Sequence, residues 1–224
     1  MLLLALSTSG PAASAALLRD GVLLDEIICN EGLTHSETIM PITAELLERN
    51  ALAPKDIDIF AADVGPGSFT GVRIGVCAAN AMAAAKGAAV VEVSSLTALY
   101  EGLGDVVTPV CALLDARNGN GYAALFDAGK CLMEPAAVTV AELLPALPKN
   151  TLFVGDGEAF RAEIERVVAG AVFAPQSKNL LRAGPAAAAA WKRWQAGERV
   201  KEARPLYLRP TQAERLYKAK EQTK

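Results

Sequence analysis

Three stretches of the chain hold residue types whose spacing could support chemistry. The longest is Gly65-Pro66-Gly67-Ser68-Phe69-Thr70-Gly71-Val72-Arg73-Ile74-Gly75. Its glycines let the backbone reach conformations closed to other residues and approach a neighbour closely. Ile57–Val64 before it reads as a strand. Val72–Lys86 after it is alanine-rich and stops at Gly87, which is helix composition with a C-cap glycine. Ser68 or Thr70 can cap that helix. Such a strand–turn–helix junction can cradle an anion, because free amides point out of a helix start. The known phosphate patterns fail, since no lysine follows the glycines and Thr70 stands where a third glycine would be. Two readings stay open, a tight structural turn, which is preferred, and a phosphate cradle.

The second stretch is the hydroxyl-rich turn Ser7-Thr8-Ser9-Gly10-Pro11, directly after the apolar run Leu2–Leu6. Together the two turns offer Ser7, Thr8, Ser9, Gly65, Gly67 and Ser68 as candidate nucleotide contacts. The third feature is a pair of carboxylates. Asp115 closes a strand and Asp156 lies between glycines, where each could sit near a metal or cap its own turn. Turn capping is the preferred reading.

The elements that must position these residues follow from pattern. Leu2–Leu6 has the continuous apolar character of a strand covered on both faces. Ala13–Leu18 and Val22–Cys29 continue it as an antiparallel meander around the turn Arg19-Asp20-Gly21. Ser36 is expected to cap a helix running to about Asn50, with Glu37 favoured by the helix dipole. Ile39, Ile42 and Leu46 form one apolar stripe on it, and Met40, Ala44 and Leu47 another. That is more than a single sheet contact needs, so one side should meet a second helix or subunit. An Ala88–Val93 strand and a short helix lead to Gly102-Leu103-Gly104, where a boundary is expected between residues 1–104 and a smaller part, 105–224. The second part opens as the first does, with strand, turn, strand, turn and strand from Val106 to Met133. That repetition of element order predicts two related α/β halves. Trp191 and Trp194 fall in an alanine-rich helix and read as packing residues.

Composition narrows the class. A hydrophobic fraction of 52% fits a well-buried core in 224 residues. The net charge is −3, but residues from Lys192 onward carry +6 and the rest −9. A basic tail can attract RNA or an acidic partner, or be only a solvated helix face. Cys29, Cys77, Cys111 and Cys131 form no C-x-x-C pair and are expected to be buried, reduced thiols. A single histidine, His35, excludes a multi-histidine metal site. The apolar start lacks a basic leader, and no other stretch is long enough to span a bilayer.

The chain resembles the TsaB (YeaZ) family, which takes part in making threonylcarbamoyladenosine in tRNA. The resemblance rests on Leu4-Ala5-Leu6-Ser7-Thr8-Ser9, His35-Ser36-Glu37, the glycine motif, Val93-Ser94-Ser95-Leu96, Asp115-Ala116-Arg117, Val154-Gly155-Asp156-Gly157 and Pro205-Leu206-Tyr207-Leu208-Arg209-Pro210. It implies an actin-like, ribonuclease-H-like (ASKHA) α/β fold with two subdomains and a cytoplasmic location. It further implies a non-catalytic partner of TsaD, the transferase acting on the adenosine next to the anticodon, joined by the ATPase TsaE and reaching tRNA only through the complex. No cofactor is implied for this chain alone, with ATP a candidate within the assembly, and a homodimer is expected when TsaD is absent. Pairing would run through the two helices, with Ile39, Met40, Thr43 and Leu47 on the first and Arg73, Gly75, Val76 and Ala79 on the second.

TsaD-like sequences carry a metal-binding H-x-x-x-H whose positions fall, by resemblance, at Ser95 and Leu99. Leucine cannot ligate a metal, and serine is a poor ligand for metals that imidazole binds. The family usually has an aspartate where Ser7 stands, and a hydroxyl orients magnesium–phosphate weakly. Two other functions compete. One is an ATPase or small-molecule kinase using the two turns with Asp115 or Asp156. The other is direct tRNA binding through Arg199, Lys201, Arg204, Arg209, Arg215, Lys218 and Lys220, which salt should weaken steeply.

Overall fold

A computed structural model describes residues 1–32 and 34–209. The first sheet contains β1 (Leu2–Ser7), β2 (Ala13–Arg19), β3 (Val22–Cys29), β4 (Ile59–Asp63) and β5 (Ala89–Val93) in the order β3-β2-β1-β4-β5. The first three run antiparallel, while β4 and β5 run parallel to β1. The second sheet contains β6 (Val110–Asp115), β7 (Asn120–Asp127), β8 (Lys130–Thr139), β9 (Leu152–Gly155) and β10 (Val172–Phe173). Its order, β10-β9-β6-β7-β8, is the first order read from the other end, with the same parallel and antiparallel pairings. The repeat expected from element order is therefore a repeat of topology.

Helices α1 (His35–Arg49) and α2 (Phe69–Lys86) cover one face of the first sheet, and α6 (Ala183–Gln195) covers the other. Alternation along β1 follows: Leu4 and Leu6 face α1 and α2, while Leu3 and Ala5 face α6. Both faces are dry, which is why β1 is apolar from Leu2 to Leu6. Trp191 and Trp194 pack at the edge of the α6 layer. Helix α3 (Ser95–Glu101) packs on the second sheet and also touches α6. The outer face of that sheet is covered by α4 (Val140–Leu143) and α5 (Arg161–Val167).

The start of α6 is held by the first sheet. Glu26 accepts from the Gly184 amide at 2.6 Å and pairs with Arg182 at 2.6 Å, while Ser14 Oγ accepts from the Ala183 amide at 2.8 Å. Ordered docking of α6 thus depends on groups far away in sequence.

Three expectations need correction. Helix α1 begins at His35 with Thr34 in the cap position, not Ser36, and Thr34 Oγ1 donates to the Glu37 carboxylate instead of capping a backbone amide. Its second apolar stripe divides, for Leu47 is buried but Met40 and Ala44 face solvent. The cysteines are not uniformly buried, because Cys77 and Cys131 are exposed. Among the described residues no helix is long and apolar enough to cross a membrane.

Candidate functional site

The two turns lie against each other at the ends of β1 and β4. An added Cβ at Gly67 would stand 2.3 Å from Ser9 O, and one at Gly71 would stand 2.0 Å from Thr8 O. Both obstacles are backbone atoms, so close approach is the reason for glycine here. Hydrogen bonds fix the approach: the Ser68 amide donates to Ser9 O at 2.8 Å, and Thr8 Oγ1 donates to Gly71 O at 2.6 Å. Ser68 caps α2 by accepting from the Gly71 amide at 3.2 Å. The Gly65, Ser68, Gly71 and Val72 amides are thus already donated inside the chain.

Beneath the glycine turn lies Asp63, 1% exposed at the end of β4. Its Oδ2 accepts from Ser7 Oγ at 2.7 Å and from Ser9 Oγ. Its Oδ1 accepts from Ser95 Oγ at 2.6 Å and from the Gly65 amide at 3.0 Å. Four donors saturate the carboxylate and join β1, the glycine turn and the start of α3. Sequence reasoning missed Asp63, which it placed inside a strand. The available signal was a carboxylate ending an apolar strand just before a glycine turn.

Of the six candidate nucleotide contacts, Ser7, Thr8 and Gly65 are buried beneath the surface, while Ser9, Gly67 and Ser68 line a cleft of about 510 Å³. The opposite wall belongs to the second sheet and carries Asp115, Tyr122 and Asp156. Asp115 Oδ1 accepts from the Arg117 amide at 2.7 Å, and Asp156 Oδ2 accepts from the Asp115 amide at 2.9 Å. Asp115 therefore caps its own turn, as the turn-capping reading expects, whereas Asp156 holds the backbone of a strand 41 residues away. His35 Nε2 lies 2.9 Å from Gly10 O. Among the described residues no three His, Cys, Asp or Glu side chains cluster as a metal set.

The candidate interface residues separate by burial. Ile39, Thr43, Leu47, Gly75, Val76 and Ala79 point into the chain's own core, so they present no surface for docking. Gly75 faces Thr8 Oγ1, which an added Cβ would meet at 2.5 Å. Met40 and Arg73 are exposed, and Cys77 is exposed one helical turn beyond Arg73.

Around Arg73 the structure gathers residues that spacing could not connect. Its guanidinium lies 3.9 Å from the Phe69 ring centre, and its Nε donates to Tyr207 Oη at 2.6 Å. Phe69 and Tyr207 stack at 5.0 Å. Tyr207 ends a strap that begins at Val200, which bridges to Val90. The strap continues through paired bonds between Ala203 and Asn80, and the Leu206 amide donates to Val64 O at 2.7 Å. The basic residues Arg215, Lys218 and Lys220 lie outside the described residues.

The thiols differ in environment. Burial pushes Cys111 up to about 12. Local desolvation, and then the neighbouring Glu134, push Cys131 up to about 11. At about pH 8, a disulfide reagent should label Cys77 at least tenfold faster than Cys131, and Cys111 only on unfolding. Mass spectrometry of timed aliquots checks the order.

Two sheets of one shared order, each strand set crossed by helices, define the actin-like, ribonuclease-H-like ASKHA class. Two solved Pseudomonas aeruginosa structures share the whole architecture. A protein described as similar to peptidase YEAZ has TM-score 0.78 and 28% identity over 93% of this chain and 99% of that one. One described as YeaZ has TM-score 0.77 and 27% identity over 92% and 99%. A family model described as "TsaD: tRNA N6-adenosine threonylcarbamoyltransferase" matches residues 31–217. The Bacillus subtilis tRNA threonylcarbamoyladenosine biosynthesis protein TsaB is 32% identical over 183 residues, 76% of this chain and 77% of that protein. A Haemophilus influenzae TsaB is 37% identical over 124 residues, which is 54% of this chain and 51% of that one. The chain belongs to the TsaB (YeaZ) family.

Proposed function

We propose that the chain is a non-catalytic partner subunit of a TsaD transferase, required for threonylcarbamoylation of the adenosine next to the anticodon in tRNA. The observation that carries this reading is the use made of Ser95 and Leu99, the positions onto which the family resemblance maps the metal-binding histidines of TsaD-like sequences. Ser95 is occupied in holding Asp63, and Leu99 is 2% exposed in the second sheet's core. The fold supplies shape, and its surface does the work. Docking uses the outward sides of α1 and α2, centred on Met40, Phe69 and Arg73, which combine exposed apolar area with a cation. Aromatic and arginine side chains of this kind dominate binding energy at interfaces. TsaE joins the assembly, tRNA is reached through it, and the same face pairs two copies when TsaD is absent.

Arg73→Glu should weaken co-elution with TsaD at least tenfold, and bound TsaD should slow labelling of Cys77. Undiminished co-elution of Arg73→Glu would refute this face. The cleft bearing Asp115 and Asp156 favours a second reading, an ATPase or small-molecule kinase. ATP turnover by the isolated chain, lost in Asp115→Ala, would establish that activity.

A further inference from the structure

Arg73, Phe69 and Tyr207 form a clamp that presents a cation. Arg73 and Lys86 are the charged side chains of α2. Lys86 pairs with Asp58 at 4.0 Å, whereas Arg73 forms no ion pair among the described residues. Its guanidinium is exposed yet held in one orientation. The Phe69 ring centre lies 3.9 Å from it, the Tyr207 ring centre 5.6 Å, and its Nε–H is taken by Tyr207 Oη. The N–H groups on Nη1 and Nη2 meet no acceptor among the described residues.

The strap fixes Tyr207 in turn. Val200 and Val90 exchange both backbone hydrogen bonds, Ala203 and Asn80 exchange two more, the Arg204 amide donates to Glu92 at 2.7 Å, and the Leu206 amide donates to Val64 O. Holding a long side chain in place at the surface costs conformational entropy. What it gains is a planar fork set in advance for two parallel hydrogen bonds, the geometry that matches a carboxylate. Phe69 and Tyr207 remain 41% and 46% exposed, so apolar ring area surrounds the fork.

A nucleic-acid backbone would need several cations in a row. Instead α1, which packs beside α2, exposes Glu37, Glu45 and Glu48. A single carboxylate needs only the Arg73 fork. We propose, resting on the docking reading above, that the clamp receives one aspartate or glutamate side chain of the partner transferase on Arg73 Nη1 and Nη2. The strap is then part of the docking face, and Tyr207 is a positioning residue that acts through Arg73.

The test measures the affinity of the full chain for the TsaD of the same organism. Arg73→Met should weaken binding about tenfold or more, and Arg73→Lys by less, since the charge stays and the fork is lost. Tyr207→Phe should cost about threefold in the parent and nothing in the Arg73→Met background, which a purely structural tyrosine would not do. In the Arg73→Lys complex, a carbodiimide should join the amine introduced at position 73 to an aspartate or glutamate of TsaD as an amide, with loss of one water. Mass spectrometry of the linked peptides locates it. A parent chain that fails to bind TsaD sinks the partner reading and this inference with it. A parent that binds overturns the inference alone if Arg73→Met binds undiminished, or if position 73 links to no TsaD carboxylate. So does a tRNA transcript that binds the isolated chain and is lost in Arg73→Met while TsaD binding is unchanged.

Discussion

Asp63→Ala is expected to lower stability by about 2–4 kcal/mol, read as a fall in the urea midpoint at unchanged slope. The substitution leaves the hydroxyls of Ser7, Ser9 and Ser95 and the Gly65 amide around an empty volume. Each unmatched buried donor costs about 1–3 kcal/mol, and the total stays below the sum because hydroxyls can turn toward one another. Asp63→Asn should cost less, since rotated hydroxyls can accept from its amide. The informative variant exchanges the pair. Ser7→Asp with Asp63→Ser moves the carboxylate across a 2.7 Å hydrogen bond to the strand beside it. It should recover more than half of the loss. A single Asp63→Ala change costing under about 0.5 kcal/mol would show that the network does not hold the turns together.

Gly71→Ala is the second large effect. The new methyl would stand 2.0 Å from the Thr8 carbonyl oxygen, and neither backbone can yield without breaking the Thr8–Gly71 hydrogen bond. The expected cost is about 3 kcal/mol or more, with α2 displaced from the first turn. Gly87→Ala serves as the control. Gly87 has φ 71° and nothing within 4 Å of an added Cβ, so only backbone strain of about 1 kcal/mol is expected. Thermal melts followed by circular dichroism compare the two. A Gly71→Ala protein melting within about 2 °C of the parent would contradict the packing described for the glycine motif.

The fold was legible because its signals are local. The apolar run in β1, the turn at Asp20-Gly21, the cap at Ser68 and the stop at Gly87 each act within a few residues. The repeat was visible as element order, since strand order itself is decided by long-range pairing. The site was less legible for the same reason. Ser7, Asp63 and Ser95 are separated by 56 and 32 residues, and only the parallel pairing of β1 with β4, with the start of α3 set against the glycine turn, brings them together. Arg73 and Tyr207 are 134 residues apart. The residues expected at the docking face are mostly apolar or small, which is also what a core demands. Thr43, for instance, donates to Ile39 O at 2.7 Å within its own helix.

One measurement bears most directly on the idea that a catalyst's shape here serves as a docking body. Purified chain is mixed with the TsaD of the same organism, and the mass in solution is read by light scattering, with the Arg73→Glu variant alongside. A heterodimer that forms with the parent and dissociates with the variant is the predicted result. Separate masses for the two parent proteins would contradict the account.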